Sequence, residues 1–344
     1  MPKLPHPLAL RPVLLSCLLG IGSPLSTVHA QAGSQKRATP TPEPDQRTTQ
    51  VIGPTYRDAP EVTVRDHVPQ GTLYAFTLAS TESKIYPGIA KNQPGVVPYQ
   101  RQILVYVPQQ YIAGQPAPFL VVQDGLSYRH VLPTVLDNLI AAKRVPALVA
   151  ILLDSGGGDA QGSERGLEYD TVSDTYARFI EMEVLPALTH RYGLVFTTDP
   201  EGRATMGGSS GGAAAFTMAW FHPEWYRRVL TYSGTYVNQQ WPCNPALPHG
   251  AWEYPEHLIA QRPRQPLRVW LEVSAQDIGA DRDEASLHNW VLANQRLAAA
   301  LQAKGYPCHY VFAQGAGHVD ARVTRQTLPD ALSWLWQDYR PHHP

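Results

Sequence analysis

A serine flanked by glycines is the part of this 344-residue chain that points most directly to chemistry. The run 207–212 reads Gly-Gly-Ser-Ser-Gly-Gly, follows a short apolar segment over 203–206 and precedes an alanine-rich segment over 213–220. A strand, a sharp turn and a helix are the setting of a nucleophilic serine, because glycines on either side prevent collisions across the turn. The spacing favours Ser209 as the nucleophile, and Ser210, which also fits, is the alternative.

A serine needs a base and an acid to act as a nucleophile, because its hydroxyl is hardly ionised at neutral pH. In parallel sheets, reactive groups lie in the loops after the carboxyl ends of the strands. His318 lies in a glycine-rich loop directly after the predicted strand 308–312, and it is the expected base. Asp277 follows the predicted strand 267–273 and is the expected acid. Three acids farther along remain alternatives, namely Asp281, Asp283 and Glu284.

Attack on an ester carbonyl also requires two backbone amides directed at the oxygen that gains negative charge. Ser210, the residue after the nucleophile, is expected to supply one of them. The second is expected from the loop after the predicted strand 118–123, where the amides of Gly125 and Leu126 are the candidates. Such a site transfers an acyl group to serine and then to water, and it needs no metal or organic cofactor.

The segments that must position these groups alternate between strand and helix patterns. The segments 71–78 and 101–107 read as early strands of a hairpin, whereas 118–123 and 147–153 are almost entirely apolar, as expected for strands covered on both faces. Further strands are predicted over 203–206, 228–233, 267–273 and 308–312, and helices over 131–142, 174–190, 213–220, 289–304 and 328–336. This alternation predicts an α/β fold with one mostly parallel sheet and helices on both faces.

The composition is that of a globular protein with little net charge. Hydrophobic residues make up 43%, charged residues 17%, and the formal net charge is −1. Nothing in these values favours binding to nucleic acid or to an anionic membrane surface.

The first thirty residues have the pattern of a signal peptide. Lys3 and Arg11 precede or flank an apolar stretch over 13–21 that is too short to span a bilayer, and Val-His-Ala at 28–30 fits a cleavage site. We therefore expect export to the periplasm or beyond, with no membrane span in the mature chain.

Two further predictions follow from the N-terminal composition and from export. Residues 31–60 are polar and proline-rich, so they are expected to form a disordered linker before a folded domain over 61–340. In an oxidising compartment, Cys243 and Cys308 could form a disulfide that closes a loop of about 65 residues. Two unpaired thiols are the alternative.

Short motifs spread over the predicted domain allow a comparison with known families. They include Ser-Lys-Ile-Tyr-Pro-Gly at 83–88, Val-Tyr-Val-Pro at 105–108, Gln-Asp-Gly at 123–125, Arg165 with Glu-Tyr-Asp at 168–170, Asp-Pro-Glu-Gly-Arg at 199–203, the serine turn with Ala-Trp at 219–220, Ser-Gly-Thr-Tyr at 233–236, Asn-Trp at 289–290, Asn294, Gly-Tyr at 305–306 and Gly-His at 317–318. From about residue 62 to 336 the chain resembles the enterochelin (ferric enterobactin) esterase-like group of the α/β-hydrolases, which is related to the esterase D group. The resemblance implies an α/β-hydrolase fold and a serine esterase with nucleophile Ser209 and base His318, and it supports Asp277 as the acid.

The expected substrate is a small-molecule or glycoside ester, such as a siderophore, carbohydrate or aryl ester. Cytosolic members of the group carry an amino-terminal β-domain where this sequence has a linker, so the chain resembles the exported single-domain members. A siderophore substrate is therefore implied less directly for this chain than for the cytosolic members. A serine acyltransferase, a peptidase and a non-catalytic binding module on the same fold are the alternative functions.

Four side chains are candidates for contacts with the substrate. Arg165, Glu168 and Tyr169 follow the predicted strand 147–153, and Trp241 lies in a long proline-rich and aromatic segment between two strands. The alternative for the charged residues is a structural ion pair, and for Trp241 it is ordinary packing.

Overall fold

The computed structural model of the protein describes residues 48–89 and 95–340, within which nine strands form one sheet. The strands are β1 Thr48–Ile52, β2 Thr72–Ala79, β3 Gln100–Val107, β4 Phe119–Gln123, β5 Val149–Leu153, β6 Arg203–Gly208, β7 Arg228–Tyr232, β8 Arg268–Ser274 and β9 Cys308–Ala313. Their order across the sheet is β1-β9-β8-β7-β6-β4-β5-β3-β2. All neighbours pair in parallel except β3, which is antiparallel to both β2 and β5. The predicted mostly parallel sheet is therefore confirmed.

The helices cover both faces of this sheet. They are α1 Leu132–Ala141, α2 Glu164–Tyr169, α3 Thr175–Phe179, α4 Leu185–Tyr192, α5 Ser210–Phe221, α6 Trp290–Ala303 and α7 Ala321–Trp336, and a π-helical turn, Ile180–Val184, joins α3 to α4. None of the helices described is both long and apolar enough to cross a membrane.

Two hydrophobic clusters show how the two faces are filled. On β4, Val121 belongs to one cluster and Val122 to the other, because successive side chains of a strand point to opposite faces. The first cluster contains side chains of α3, α5 and α6, and the second contains side chains of α1 and α7. The apolar runs of β4 and β5 are buried along their whole length, as a strand between two helical layers requires.

The linker prediction is wrong for residues 48–60. Thr48–Ile52 forms β1, which pairs with β9 from Thr48 opposite His309 to Ile52 opposite Ala313. The strand escaped prediction because it lies at the edge of the sheet and is almost entirely exposed, so its sequence shows no apolar alternation. The rest of the linker and the signal peptide predicted over 1–30 lie outside the described residues.

Two helices also differ from the prediction. Helix α7 begins at Ala321 rather than near residue 328, with Asp320 capping its first turn through a hydrogen bond from the Arg322 amide. Helix α2, at Glu164–Tyr169, was not predicted, since it has only six residues and too few for a helical repeat to be visible.

The disulfide suggested by the sequence is not formed. Cys308 is buried at the start of β9, whereas Cys243 is exposed in the long loop after β7, and both are free thiols. Burial raises the pKa of the Cys308 thiol to about 12. The alternative of two unpaired thiols therefore describes this structure.

Strand β1 offers a test of how far the folded domain extends. A chain that begins at residue 54 lacks the backbone hydrogen bonds of β1 to β9, including the one from the Gln314 amide to the Ile52 carbonyl (2.9 Å). We expect it to lose about 1 to 3 kcal/mol of unfolding free energy in urea titrations, relative to a chain that begins at residue 48. Equal stability of the two chains would contradict a structural role for β1.

Candidate active site

Ser209 lies at the tip of the turn between β6 and α5, in a backbone conformation that side chains rarely adopt. Its φ is 55° and its ψ is −130°. Two hydrogen bonds hold this conformation, from the Ser209 amide to the Tyr232 carbonyl and from the Thr235 amide to the Ser209 carbonyl, each 2.9 Å long. A residue in such a region costs on the order of 1–3 kcal/mol and persists only where the surrounding structure enforces it.

The glycines around Ser209 leave room for the turn. A Cβ on Gly207 would lie 2.3 Å from the backbone carbon of Gly211, so the two glycines face each other across the serine. A Cβ on Gly208 would lie 2.8 Å from the Cγ1 atom of Val319. The structure thus places Ser209 at the tip of the turn, and Ser210 is instead the first residue of α5.

His318 bridges the serine and an aspartate. Its Nε2 atom lies 2.8 Å from the Ser209 Oγ, and its Nδ1 atom lies 2.6 Å from the Asp277 Oδ1. The Asp277 side chain is completely buried, and its Oδ1 also accepts a hydrogen bond from the Ile278 amide at 2.7 Å. The structure therefore brings together the three side chains that the sequence proposed, in the order serine, histidine, aspartate.

The alternative acids are engaged elsewhere. Asp283 caps a short 3₁₀ turn by accepting a hydrogen bond from the Ser286 amide, and Glu284 forms an ion pair with Arg296 at 3.4 Å. Asp281 is exposed. None of the three forms a hydrogen bond with His318, so Asp277 is the acid that the fold presents to this histidine.

Strained residues occur in several of the loops that follow the carboxyl ends of the strands. Besides Ser209, the non-glycine residues Asp124, Ser233 and Val319 have φ values of 52°, 48° and 45°, and they follow β4, β7 and β9. The Val319 amide donates to the Ser233 Oγ at 3.1 Å, which fixes the loop after β9 against the loop after β7. This contact holds the residue next to His318 and so helps to orient the imidazole.

Not all of the backbone amides predicted to bind the negatively charged substrate oxygen are free to do so. The amides of Ser210 and Gly125 make no hydrogen bond to any residue described, whereas the Leu126 amide donates to the Asp154 Oδ1 at 3.1 Å. Gly125 is needed where it stands, because a Cβ there would lie 2.5 Å from the Cα of Leu152 on β5. Of the two candidates in this loop, the Gly125 amide is thus the one left without a partner.

Glu168 and Tyr169 are structural residues, which corrects their prediction as substrate contacts. Glu168 is fully buried and forms an ion pair with Arg101 at 2.6 Å, and it also accepts hydrogen bonds from the Tyr99 hydroxyl and the Gly156 amide. Tyr169 is 1% exposed and belongs to the hydrophobic core. The sequence named these residues because they follow the strand 147–153, and α2 buries both side chains.

Arg165 and Trp241 also have partners within the protein. Arg165 forms an ion pair with Asp124, and its guanidinium lies 5.0 Å from the centre of the Tyr169 ring. Trp241 is half-buried in the loop after β7, and its carbonyl accepts a hydrogen bond from Thr171 at 2.9 Å. For Arg165 the arrangement observed is thus a structural ion pair, which is the alternative that the sequence leaves open.

Two residues beside the serine were missed by the sequence reasoning. The Thr235 Oγ1 lies 3.3 Å from the Ser209 Oγ, and the Trp290 indole nitrogen donates to the same Thr235 oxygen at 3.2 Å. Trp290 also meets the His318 ring edge-on, with 6.3 Å between the ring centres. Both residues lie in motifs that carry the family resemblance, and the position of Thr235 just after β7 was the available signal.

Two buried carboxyl groups lie close to these loops. Burial raises the pKa of Asp170 to about 7, against the opposing effects of the Gln239 amide and the Ser210 hydroxyl. Burial likewise raises the pKa of Glu272, on β8, to about 8; the Ser274 hydroxyl opposes this shift and the charge of Asp277 adds to it. Near neutral pH, Glu272 is therefore mostly protonated.

Solved structures similar to this chain define its fold. A ferric enterobactin esterase from Salmonella typhimurium superposes with a TM-score of 0.57 and 21% identity, over 79% of this chain and 60% of that one. A ferulic acid esterase superposes with a TM-score of 0.55 and 17% identity, over 78% of this chain and 98% of that one. With the sheet order and the serine turn between β6 and α5, they define this chain as a protein of the α/β-hydrolase fold.

Sequence comparison identifies the family. The family model Esterase, whose description is "Putative esterase", matches residues 96–335, so the chain belongs to the Esterase family. An iron(III) enterobactin esterase from Dickeya dadantii (strain 3937) is 28% identical over 243 residues, which make up 69% of this chain and 52% of that protein. The chain thus spans about half the length of this relative.

The buried carboxyl of Glu272 makes stability depend on pH. The folded protein keeps a proton at Glu272 that the unfolded chain loses near its ordinary pKa of 4.5, so folding becomes less favourable as pH rises from about 4.5 to 8. The side-chain amide of a Glu272→Gln variant cannot ionise. From pH 5 to pH 9, the unfolding free energy of this variant should therefore decrease by about 4 kcal/mol less than that of the wild type.

Urea unfolding at the two pH values measures this difference. Glu82→Gln, at an exposed position, is the control and should follow the wild type at both pH values. Equal pH dependence of Glu272→Gln and the wild type would show that Glu272 is not held protonated in the folded state.

Proposed function

We propose that this protein is an exported serine esterase that hydrolyses carboxylic esters through Ser209, His318 and Asp277. The observation that carries the proposal is the pair of contacts made by one imidazole, 2.8 Å from the Ser209 hydroxyl and 2.6 Å from a buried Asp277 oxygen. Membership of the Esterase family supports the reaction class. Export rests on the signal-peptide pattern of residues 1–30.

The contacts of His318 support a position for its proton. Because its Nδ1 faces a carboxylate that can only accept, Nδ1 carries the hydrogen, and Nε2 has a free electron pair facing the Ser209 hydroxyl. As the serine oxygen attacks the ester carbonyl, Nε2 takes the hydroxyl proton. The buried charge of Asp277 stabilises the imidazolium that forms.

The reaction then proceeds in two balanced halves. The carbonyl oxygen gains negative charge and is stabilised by the amides of Ser210 and Gly125, with the N-terminus of α5 directed at the same place. His318 returns its proton to the leaving alcohol, which leaves the acyl group on Ser209. A water molecule then attacks the acyl-enzyme while His318 takes its proton, and His318 returns this proton to the Ser209 oxygen as the carboxylic acid is released.

The proposed substrate is a small-molecule or glycoside ester. The relatives are named for enterobactin and for ferulic acid. Arg165, the cation that the sequence suggested for substrate contacts, is paired with Asp124 and lies over Tyr169. A cation already neutralised within the protein has little charge to offer an anionic iron complex, and this favours an uncharged ester.

Single substitutions test the nucleophile and its base. Ser209→Ala and His318→Ala should each lower kcat for a chromogenic short-chain ester by at least about 1,000-fold, and Asp277→Asn by about 100-fold or more, because each removes part of one catalytic unit. Ser333→Ala, on α7, is the control and should keep wild-type activity.

The outcomes separate the alternatives. Activity that survives in Ser209→Ala and is lost in Ser210→Ala would move the nucleophile to Ser210. Absence of turnover by the wild type with simple aryl esters, feruloyl and acetyl sugars and siderophore lactones, together with binding of one of them, would indicate a non-catalytic binding module. Transfer of the acyl group to an added alcohol in preference to water would indicate an acyltransferase.

A further inference from the structure

The hydrogen-bond chain at the site continues beyond Ser209 into two buried residues. Thr235 is 1% exposed, and its hydroxyl oxygen lies 3.3 Å from the Ser209 Oγ. The same oxygen accepts a hydrogen bond from the indole nitrogen of Trp290, which is 5% exposed, at 3.2 Å. These are the contacts of the Thr235 hydroxyl within the part of the chain that the structure describes.

The chemistry of these groups determines which of them donates and which accepts along this series of hydrogen bonds. An indole N–H can only donate, so the Thr235 oxygen is the acceptor and its own proton is free to point at the Ser209 oxygen. The proton of Ser209 is then directed at the Nε2 atom of His318, whose other nitrogen faces Asp277. Donation therefore runs in one direction from Trp290 to Asp277, and hydrogen bonds aligned in this way strengthen one another.

We propose that Thr235, held by Trp290, is a positioning residue that orients the Ser209 hydroxyl so that its proton faces His318. The inference rests on the proposed role of Ser209 as nucleophile. A serine hydroxyl can rotate among three staggered positions, and a donor on one side of its oxygen favours the position in which its own hydrogen lies on the other side. Thr235 itself loses no proton, and the proton that reaches His318 comes from Ser209.

Trp290 is well placed to hold this geometry, because it contacts the loops that carry the acid, the base and Thr235. Its backbone amide donates to the Ile278 carbonyl at 3.1 Å, and the Ile278 amide in turn donates to the Asp277 carboxylate. Its ring meets the His318 ring edge-on. Asn289, just before it, caps the start of α6 through the Leu292 amide. One tryptophan thus connects the loop of the acid, the ring of the base and the hydroxyl beside the nucleophile.

Three substitutions test the proposal. Thr235→Val keeps the shape and removes the hydroxyl, Thr235→Ser keeps the hydroxyl, and Trp290→Phe keeps an aromatic ring and removes the N–H. The measurements are kcat and KM for a chromogenic ester, and the second-order rate at which a fluorophosphonate labels Ser209, since labelling requires an activated serine and no later step.

A positioning role predicts a specific pattern. Thr235→Val should lower kcat and the labelling rate by about 10-fold while KM changes less than about 2-fold, since a contact worth one net hydrogen bond is lost. Thr235→Ser should recover to within about 3-fold of the wild type. Trp290→Phe should lower the labelling rate by about 3-fold or more. Adding it to Thr235→Val should cause no further decrease in that rate, because both residues belong to one series of hydrogen bonds.

The results that overturn the inference differ from those that overturn the proposed function. A wild-type labelling rate in Thr235→Val, with Ser209→Ala inactive, would refute the role of Thr235 and leave the esterase intact. Activity in Ser209→Ala would refute the nucleophile itself. If circular dichroism shows that Thr235→Val does not fold, Trp290→Phe provides the test. A labelling rate in Trp290→Phe equal to that of the wild type would then refute the inference. Equal decreases of the labelling rate in Thr235→Val and Thr235→Ser would indicate that Thr235 has a packing role only.

Discussion

The hydrogen bond between His318 and Ser209 is the interaction on which the rest of the site depends. It joins residues separated by 109 positions in the chain, so it exists only if the ends of β6 and β9 meet at the same edge of the sheet. Parallel pairing of β6, β7, β8 and β9 ensures this, because every strand then ends at that edge. The strained conformations of Ser209 and Val319 are the local cost of aiming the two side chains at each other.

Buried polar groups arrange the loops around this interaction. On the side of β3 and β5, the charge of Arg101 is neutralised by Glu168 and that of Arg165 by Asp124, so the charged residues that follow β5 hold loops in place. The Asp154 carboxylate in the same region binds the Leu126 amide. The charges in this part of the protein are therefore largely paired with one another or with backbone amides.

The other side of the serine is organised by neutral donors. Thr235 and Trp290 extend the chain of hydrogen bonds away from the acid, and Trp290 also contacts the loop that carries Asp277. Glu272, on β8, is a buried carboxyl with a raised pKa, which avoids a second full negative charge near Asp277 at neutral pH.

The sequence by itself determined the alternation of strands and helices and the residues at strand ends, including Ser209 and His318, because these depend on apolar periodicity and on glycines close in the chain. It did not reveal β1, which is exposed and lies at the sheet edge, nor the burial of Glu168, nor the contact of Thr235 with the serine. Those features depend on which distant segments meet and which side chains find partners, and only the tertiary structure brings such segments within hydrogen-bond distance.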